Sequence, residues 1–249
     1  MSANSKISWC DHTFNPWWGC TKVSEGCRNC YAATFAKRLG KNIWGAGIPR
    51  VKGSATVWGE PRHWNRRALV QGIRPRVFVA SMADVFDDEV DPSWREELWE
   101  LIRECSALDW LVLTKRPENM LGMLPHDWGD GWKHVWLGTT VENQAMVMER
   151  TPVLQAIPAA LRFLSVEPLL GPVNLDLEGI HWVICAGESG ASYRPLDPDW
   201  ARGVRDQSLK HGVPFHFKQW GTMNQKKAGR LLDGVIWDDF PISPAALVV

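Results

Sequence analysis

No run of about 18 consecutive apolar residues exists in the chain, so no segment reads as a membrane-crossing helix. The first residues, MSANSKISWCDHTF, lack the basic start and apolar stretch of a secretory signal, and the expected compartment is a reducing cytoplasm. Net charge is also missing: 28 basic residues balance 28 acidic ones, so the whole molecule offers no electrostatic funnel for a polyanion. Neither a linker, nor an internal repeat, nor a low-complexity tract divides the sequence, and a single domain over residues 1–249 is expected. Finally, a fourth cysteine is lacking where three stand close together, at Cys20, Cys27 and Cys30.

What is present belongs to an ordinary globular protein, with 45% apolar and 22% charged residues and length enough for a core without disulfides. In a reducing compartment, clustered cysteines point to metal ligation or thiol chemistry. Sixteen tryptophans are the unusual number. Most are expected to pack, with a minority available as stacking walls for a flat ring. Charge is locally uneven. From Arg50 to Arg76 seven basic residues meet one acid, Glu60, a pattern that suits either a solvated face or a phosphate contact.

Beyond the cysteines the chain alternates strand-like and helix-like runs. RVFVASM, DWLVLTK, HVWLGTTV, LRFLSVEP, IHWVICAGE and PFHFKQWG are near-continuous apolar runs of the kind found in strands covered on both faces. Between them, DPSWREELWELIREC opens with Asp91 as N-cap and Pro92 in the first turn, and DPDWARGVRDQSLKHG repeats that start and closes on Gly212. RPENMLGML gives a short helix, and NQAMVMERTPVLQAI a longer one with a break expected at Pro152. Regular strand–helix order implies right-handed βαβ units and a parallel sheet. With one strand before the cysteines the count reaches about seven, so the expected fold is α/β: a partial or complete parallel β/α (TIM-like) barrel. Residues 40–71 read as an insertion or lid, and 221–249 as a tail returning over the barrel.

Each apolar run ends in residues that a core would not choose: Ser81, Met82 and Asp84; Lys115 and Arg116; Thr140 and Glu142; Ser165 and Glu167; Glu188; Lys218. Parallel α/β proteins bind ligands at that edge. For Asp84 and Asn143 helix capping is the plainer role, whereas Glu167, followed by Pro168, is a poor cap. Lys115 and Arg116 suit a carboxylate or phosphate, or salt bridges at the rim.

The cysteine spacing is C-x6-C-x2-C, followed by the helix-forming YAATFAKRL. Thiolates would then lie near the positive end of a helix. Three readings compete. A structural zinc needs a fourth ligand such as His12, Cys10 or His63. An iron–sulfur cluster with three cysteines leaves one iron open to an exogenous ligand. The third reading is three reduced thiols that simply pack together. A hydrolase using Glu142, Glu167 and Glu188 is a further alternative, as is a zinc-stabilised nucleic-acid-binding or scaffold protein.

FNPWWGC, TKVSEGCRNCYA, VFVASMADVF, LTKRPEN, WLGTTVEN, RFLSVEPLLGP, VICAGESG and GRLLDGVIWDDFP together resemble the phage-associated three-cysteine-motif family. That family belongs to the radical S-adenosylmethionine (SAM) superfamily and is similar in its barrel core to spore photoproduct lyase. The resemblance implies a 4Fe-4S cluster on Cys20, Cys27 and Cys30 and SAM chelating the open iron. Cleavage of SAM, driven by an external donor of flavodoxin or ferredoxin type, would then give a 5'-deoxyadenosyl radical that abstracts hydrogen. It places Ser81, Met82 and Asp84 at the SAM amino group, Tyr31 against the adenine, and Thr140, Glu142, Ser165 and Glu167 at ribose or substrate. Lys115 and Glu167 are the expected catalytic pair. The substrate it suggests is a nucleobase or nucleotide in phage DNA, undergoing hypermodification or rearrangement. The first cysteine gap, TKVSEG, is three residues longer than the superfamily's usual one.

Overall fold

The computed structural model describes residues 2–3, 5–223 and 229–247. In chain order the strands are β1 (Ser2–Ala3), β2 (His12–Phe14), β3 (Trp17–Trp18), β4 (Val51–Lys52), β5 (Arg76–Val79), β6 (Asp109–Thr114), β7 (Val135–Thr140), β8 (Leu161–Val166), β9 (Trp182–Ala186), β10 (Phe215–Gln219), β11 (Leu231–Leu232) and β12 (Val235–Ile236). The helices are α1 (Tyr31–Arg38), α2 (Ala55–Gln71), α3 (Pro92–Glu104), α4 (Pro117–Met123), α5 (Gln144–Ala156) and α6 (Pro198–Lys210). Seven strands run parallel in the sequential order β2-β5-β6-β7-β8-β9-β10, with β1 antiparallel at the first edge. Among the described residues β2 and β10 are not paired, so the sheet is a curled partial barrel with helices outside it.

Both strand faces are buried, which accounts for the continuous apolar runs. Val77, Val79, Trp110, Val112, Leu137, Leu164, Val183 and Phe217 pack outward in one core with the helices. Phe78, Leu111, Trp136, Phe163, Trp182 and Ile184 form a second, inner core, closed by Trp9 from the N-terminal segment. Trp136 and Trp182 meet edge to face at 6.0 Å, and Trp9 stands 6.4 Å from Trp182. The tryptophans therefore mainly fill volume: a second group, Trp99, Trp128 and Trp132, packs together on the outside.

Gly138 is what lets the inner layer close. A Cβ there would lie 2.4 Å from the Phe163 ring. Gly138→Ala should therefore lower stability by about 1–3 kcal/mol through overpacking, read as a drop in the urea midpoint with an unchanged slope.

The helix starts follow the sequence closely. Asp91 accepts from Ser93 N and Asp197 from Asp199 N, each with proline in the first turn. Pro152, by contrast, does not break its helix, and α5 runs through it. Pro152 lies on the exposed side, as does Met148 four residues earlier, so the carbonyl left without a donor can turn to water. Of residues 40–71, read as an insertion or lid, 55–71 form α2, whose Trp58, Trp64 and Ala68 join the outer core. The tail folds back on the last strands, where Phe217 N donates to Trp237 O and Trp182 Nε1 to Asp239 O; residues 224–228 and 248–249 of it lie outside the described residues. None of the helices described is long and apolar enough to cross a membrane.

Candidate functional site

Above the inner aromatic layer, a cavity of about 860 Å³ opens at the C-terminal ends of the strands. Its floor includes Trp9, Phe78 and Leu113. Its walls carry Ser81, Asp84, Lys115, Thr140, Ser165 and Glu167 from successive strand ends, together with Cys20, Cys27, Cys30 and Tyr31. Each of those positions was singled out from the sequence; strand alternation puts Lys115, Thr140, Ser165 and Glu167 on the inner side, in step with Leu113, Gly138 and Phe163, whereas Ser81 and Asp84 follow the end of β5 and the cysteines and Tyr31 come from the loop and the start of α1. Two expected residues lie elsewhere. Met82 is buried, its N–H donating to Asn15 Oδ1 at 2.7 Å, and Glu142 sits beneath the cysteine loop, so neither is among the lining residues.

Two buried ionic assemblies hold the cysteine loop. On one side, Arg116 donates to Asp84 Oδ2 at 3.2 Å, to Thr21 O at 2.8 Å and to Cys20 Sγ at 3.5 Å. Arg50 bonds Asp87 at 2.7 Å and Thr21 Oγ1 at 2.7 Å. Asp84 is fully engaged: it also accepts from Thr114 Oγ1 at 2.6 Å, Phe86 N at 3.0 Å and Lys115 N at 3.2 Å. On the other side, Glu142 accepts from Ser24 Oγ, from Gly26 N at 3.1 Å and from Arg150 Nη1 at 3.0 Å. Gly26 is needed for that approach, because a Cβ there would come within 2.8 Å of the carboxylate. Glu25 and Asn29 are held from the β9 side, where Arg194 bonds Glu25 at 3.1 Å and Glu188 at 2.6 Å, and Asn29 Nδ2 donates to Glu188 at 3.0 Å. The long TKVSEG gap is thus a strap pinned at Thr21, Ser24, Glu25 and Gly26.

The charges follow from this packing. Burial pushes the Cys20 thiol up to about 12, with the Asp84 charge adding to the shift and Arg116 opposing it. For Glu142, burial works upward, but Lys115, Ser24, Arg150 and Gly26 together outweigh it and hold the carboxyl below its ordinary range. Glu188 is likewise depressed: burial is outweighed by the hydrogen bonds from Arg194 and Asn29. Glu167 is ion-paired with Lys218. Lys115 lines the cavity and its charge acts on Glu142, but among the described residues its ammonium makes no direct ion pair. Tyr31 directs its hydroxyl to Ser81 O at 2.7 Å, and Ser81 Oγ is tied to Asn15.

The proposed hydrolytic carboxylates are therefore each committed to a cation: Glu142 to Arg150, Glu167 to Lys218 and Glu188 to Arg194. The candidate fourth zinc ligands fall outside the lining residues. His12 stacks on Trp64 at 4.4 Å, His63 bonds Arg66, and Cys10 is a buried thiol pushed up to about 11, chiefly by burial. In donor type and position Cys20, Cys27 and Cys30 fit an anionic iron–sulfur group: all are free thiols on one cavity, and Cys30 stands at the N-cap position, the positive end, of α1. They are presented separately, since among the described residues no three Cys, His, Asp or Glu side chains are gathered into a metal-holding group. Most of the basic 50–76 segment is already compensated: Arg50 is buried on Asp87, and Lys52, Arg62, Arg74 and Arg76 pair with Glu97, Glu104, Asp109 and Asp11, which leaves Arg66 and Arg67 exposed without an ion pair among the described residues.

Fold and site define an α/β partial barrel with a thiol-bearing cavity at its C-terminal rim. The chain belongs to the DUF5131 family, described as proteins of unknown function, whose model matches residues 4–241. Among curated proteins nothing matches. Among solved structures the chain is similar to a double mutant of spore photoproduct lyase with bound AdoMet and dinucleoside spore photoproduct (12% identity, TM-score 0.49). It is also similar to a single mutant of that lyase (13%, 0.47) and to the lyase complexed with dinucleoside spore photoproduct (13%, 0.46). Each match covers 83% of this chain, which spans 63% of the length of the structure matched.

Proposed function

We propose that this protein is a radical SAM enzyme in which Cys20, Cys27 and Cys30 hold a 4Fe-4S cluster at the mouth of the cavity. The observation that carries the reading is that these three thiols, with no histidine or fourth cysteine among the described lining residues, open onto the same space of about 860 Å³. With SAM on the open iron, the cluster would supply one-electron cleavage of SAM and a radical able to abstract hydrogen. The chain's own contribution is binding, orientation and exclusion of water. Lys115 offers its ammonium to an anionic group of SAM or substrate, Thr140 and Ser165 offer hydroxyls, and the aromatic floor keeps the base of the cavity dry. Glu167 and Lys218, paired at the far wall, suit a polar substrate group that can accept from one and donate to the other. A nucleobase or nucleotide, free or within phage DNA, is the substrate class proposed, and rearrangement or hypermodification the outcome. If the base belongs to a duplex it must be flipped out to reach this depth.

The reading is tested by iron content. After anaerobic incubation with iron and sulfide, the native chain should bind about four irons and turn brown. Cys20→Ala, Cys27→Ala and Cys30→Ala should each lose most of that iron, while Glu167→Gln keeps it. One tightly bound zinc and no iron would favour a structural metal instead.

A further inference from the structure

Although the chain is neutral overall, its surface charges are not evenly compensated. Many arginines at or near the surface have an acidic partner, as in Arg62–Glu104, Arg103–Asp127 and Arg202–Asp233, although Arg66 and Arg67 on α2 form no ion pair among the described residues. Around the cysteine loop the pattern changes. Lys22, Arg28, Lys37, Arg38 and Lys41 are all exposed, and among the described residues none of them forms an ion pair. The one acid in that stretch, Glu25, is already taken by Arg194. Interleaved with these cations are exposed apolar side chains: Val23 (46%), Phe35 (46%) and Leu39 (52%). Phe35 packs against Trp18 at 6.1 Å, and Lys41 lies 5.5 Å over the same Trp18 ring.

The geometry points to this face, formed by α1 with the strap before it, as the docking surface for an acidic one-electron carrier protein. The inference rests on the radical SAM reading. An apolar centre rimmed by unpaired cations has the anatomy of a protein interface that selects an acidic partner. Its position separates it from a substrate track. Lys22 and Val23 reach the cavity rim, but Phe35, Lys37, Arg38, Leu39 and Lys41 are not among the cavity-lining residues, so the α1 part of the face forms the outer side of a wall whose inner side carries the thiols. A substrate must enter the cavity, whereas an electron need only cross that wall, the thickness of one helix and its loop, about 10 Å. A strand of nucleic acid would instead call for a run of aromatic faces along a groove; here the single exposed aromatic of the helix after Tyr31 is packed on Trp18.

The test is binding of a purified bacterial flavodoxin, followed by anisotropy of its flavin without any turnover. The native chain should bind at low ionic strength and weaken steeply toward about 0.3 M salt. K37E/R38E/K41E should weaken binding by about tenfold or more, K37Q/R38Q/K41Q by less, and the distant control R66E/R67E should leave it unchanged. Matching unfolding curves identify variants that remain folded. Equal affinity in the native chain and the charge-reversed variant overturns the proposal, as does no flavodoxin binding by the native chain. Binding of a single-stranded oligonucleotide that the triple variant alone loses, with flavodoxin unaffected, also overturns it and assigns the face to nucleic acid. SAM cleavage driven by dithionite should be the same in native and triple variant. Its absence from the native chain counts against the radical reading, whereas the flavodoxin titration decides the docking face by itself.

Discussion

Arg116→Met is expected to cost about 3–5 kcal/mol of stability and to abolish iron loading at the proposed cluster site. The guanidinium is almost fully buried between Asp84 and Asp87, with side-chain exposures of 5%, 7% and 0%. Removing it leaves Asp84 without its cation in a low-dielectric setting, and Thr21 O loses a donor at the point where the strap leaves Cys20. The effect is therefore twofold, on the fold and on the position of one ligand. The double variant Asp84→Asn/Arg116→Met separates the two. It removes the uncompensated charge and keeps an acceptor for Thr114 and Phe86, so most of the stability should return while the strap stays unpinned. Urea unfolding reads the first effect and alkylation of Cys20 by iodoacetamide the second. Unchanged stability in Arg116→Met would mean that the buried ion pairs do not hold this loop.

Glu142→Gln should have an effect of similar size from the opposite side. It leaves Arg150, with 3% side-chain exposure, facing a neutral amide, and weakens the acceptor for Ser24 and Gly26; about 3–5 kcal/mol is expected. The pH dependence has a definite sign. Because the folded carboxyl lies below its ordinary value of 4.5, its stabilising contribution is complete above that value and is lost as pH falls through the depressed folded value. The gap in unfolding free energy between the native chain and Glu142→Gln should thus be full at neutral pH and narrow on acidification below 4.5. A gap that widened in acid would reverse the assignment of Glu142 as an ionised anchor. Native hydrogen exchange should show the difference concentrated in the amides of residues 24–27, since that is the stretch Glu142 holds.

These anchors mark the limit of what the chain's order reveals. Five of the seven parallel strands, β5 to β9, are legible because they are buried on both faces and so read as near-continuous apolar runs; β2, His12–Phe14, is expected only from its place before the cysteines. Asp91 and Asp197 are legible because a cap acts within three residues. Glu142 is different: it stands out as a polar residue at a strand end, which suggests the cavity, yet its partners Ser24 and Gly26 lie 118 and 116 residues away. The available signal was Arg150, which occupies the buried stripe of α5 with Val147 and Leu154. A buried arginine in such a stripe implies a carboxylate opposite it. Asn15 carried a weaker signal, a polar residue between buried Phe14 and Pro16, and it fixes Ser81 and Met82 through its side chain. The basic bias of 50–76 marks a largely solvated face, and local composition does not disclose the distant acids that compensate much of it. Arg50 meets Asp87 and Arg62 meets Glu104, Arg66 and Arg67 stay exposed without an ion pair among the described residues, and a larger group of unpaired cations lies in the 22–41 segment.

Three thiols on a pinned strap would leave an iron site open for SAM. The direct measurement is formation of 5'-deoxyadenosine after anaerobic reconstitution with iron and sulfide, followed by dithionite reduction in the presence of SAM. The account predicts 5'-deoxyadenosine with the native chain and none with Cys27→Ala. An intact, reduced cluster that leaves SAM uncleaved would contradict it.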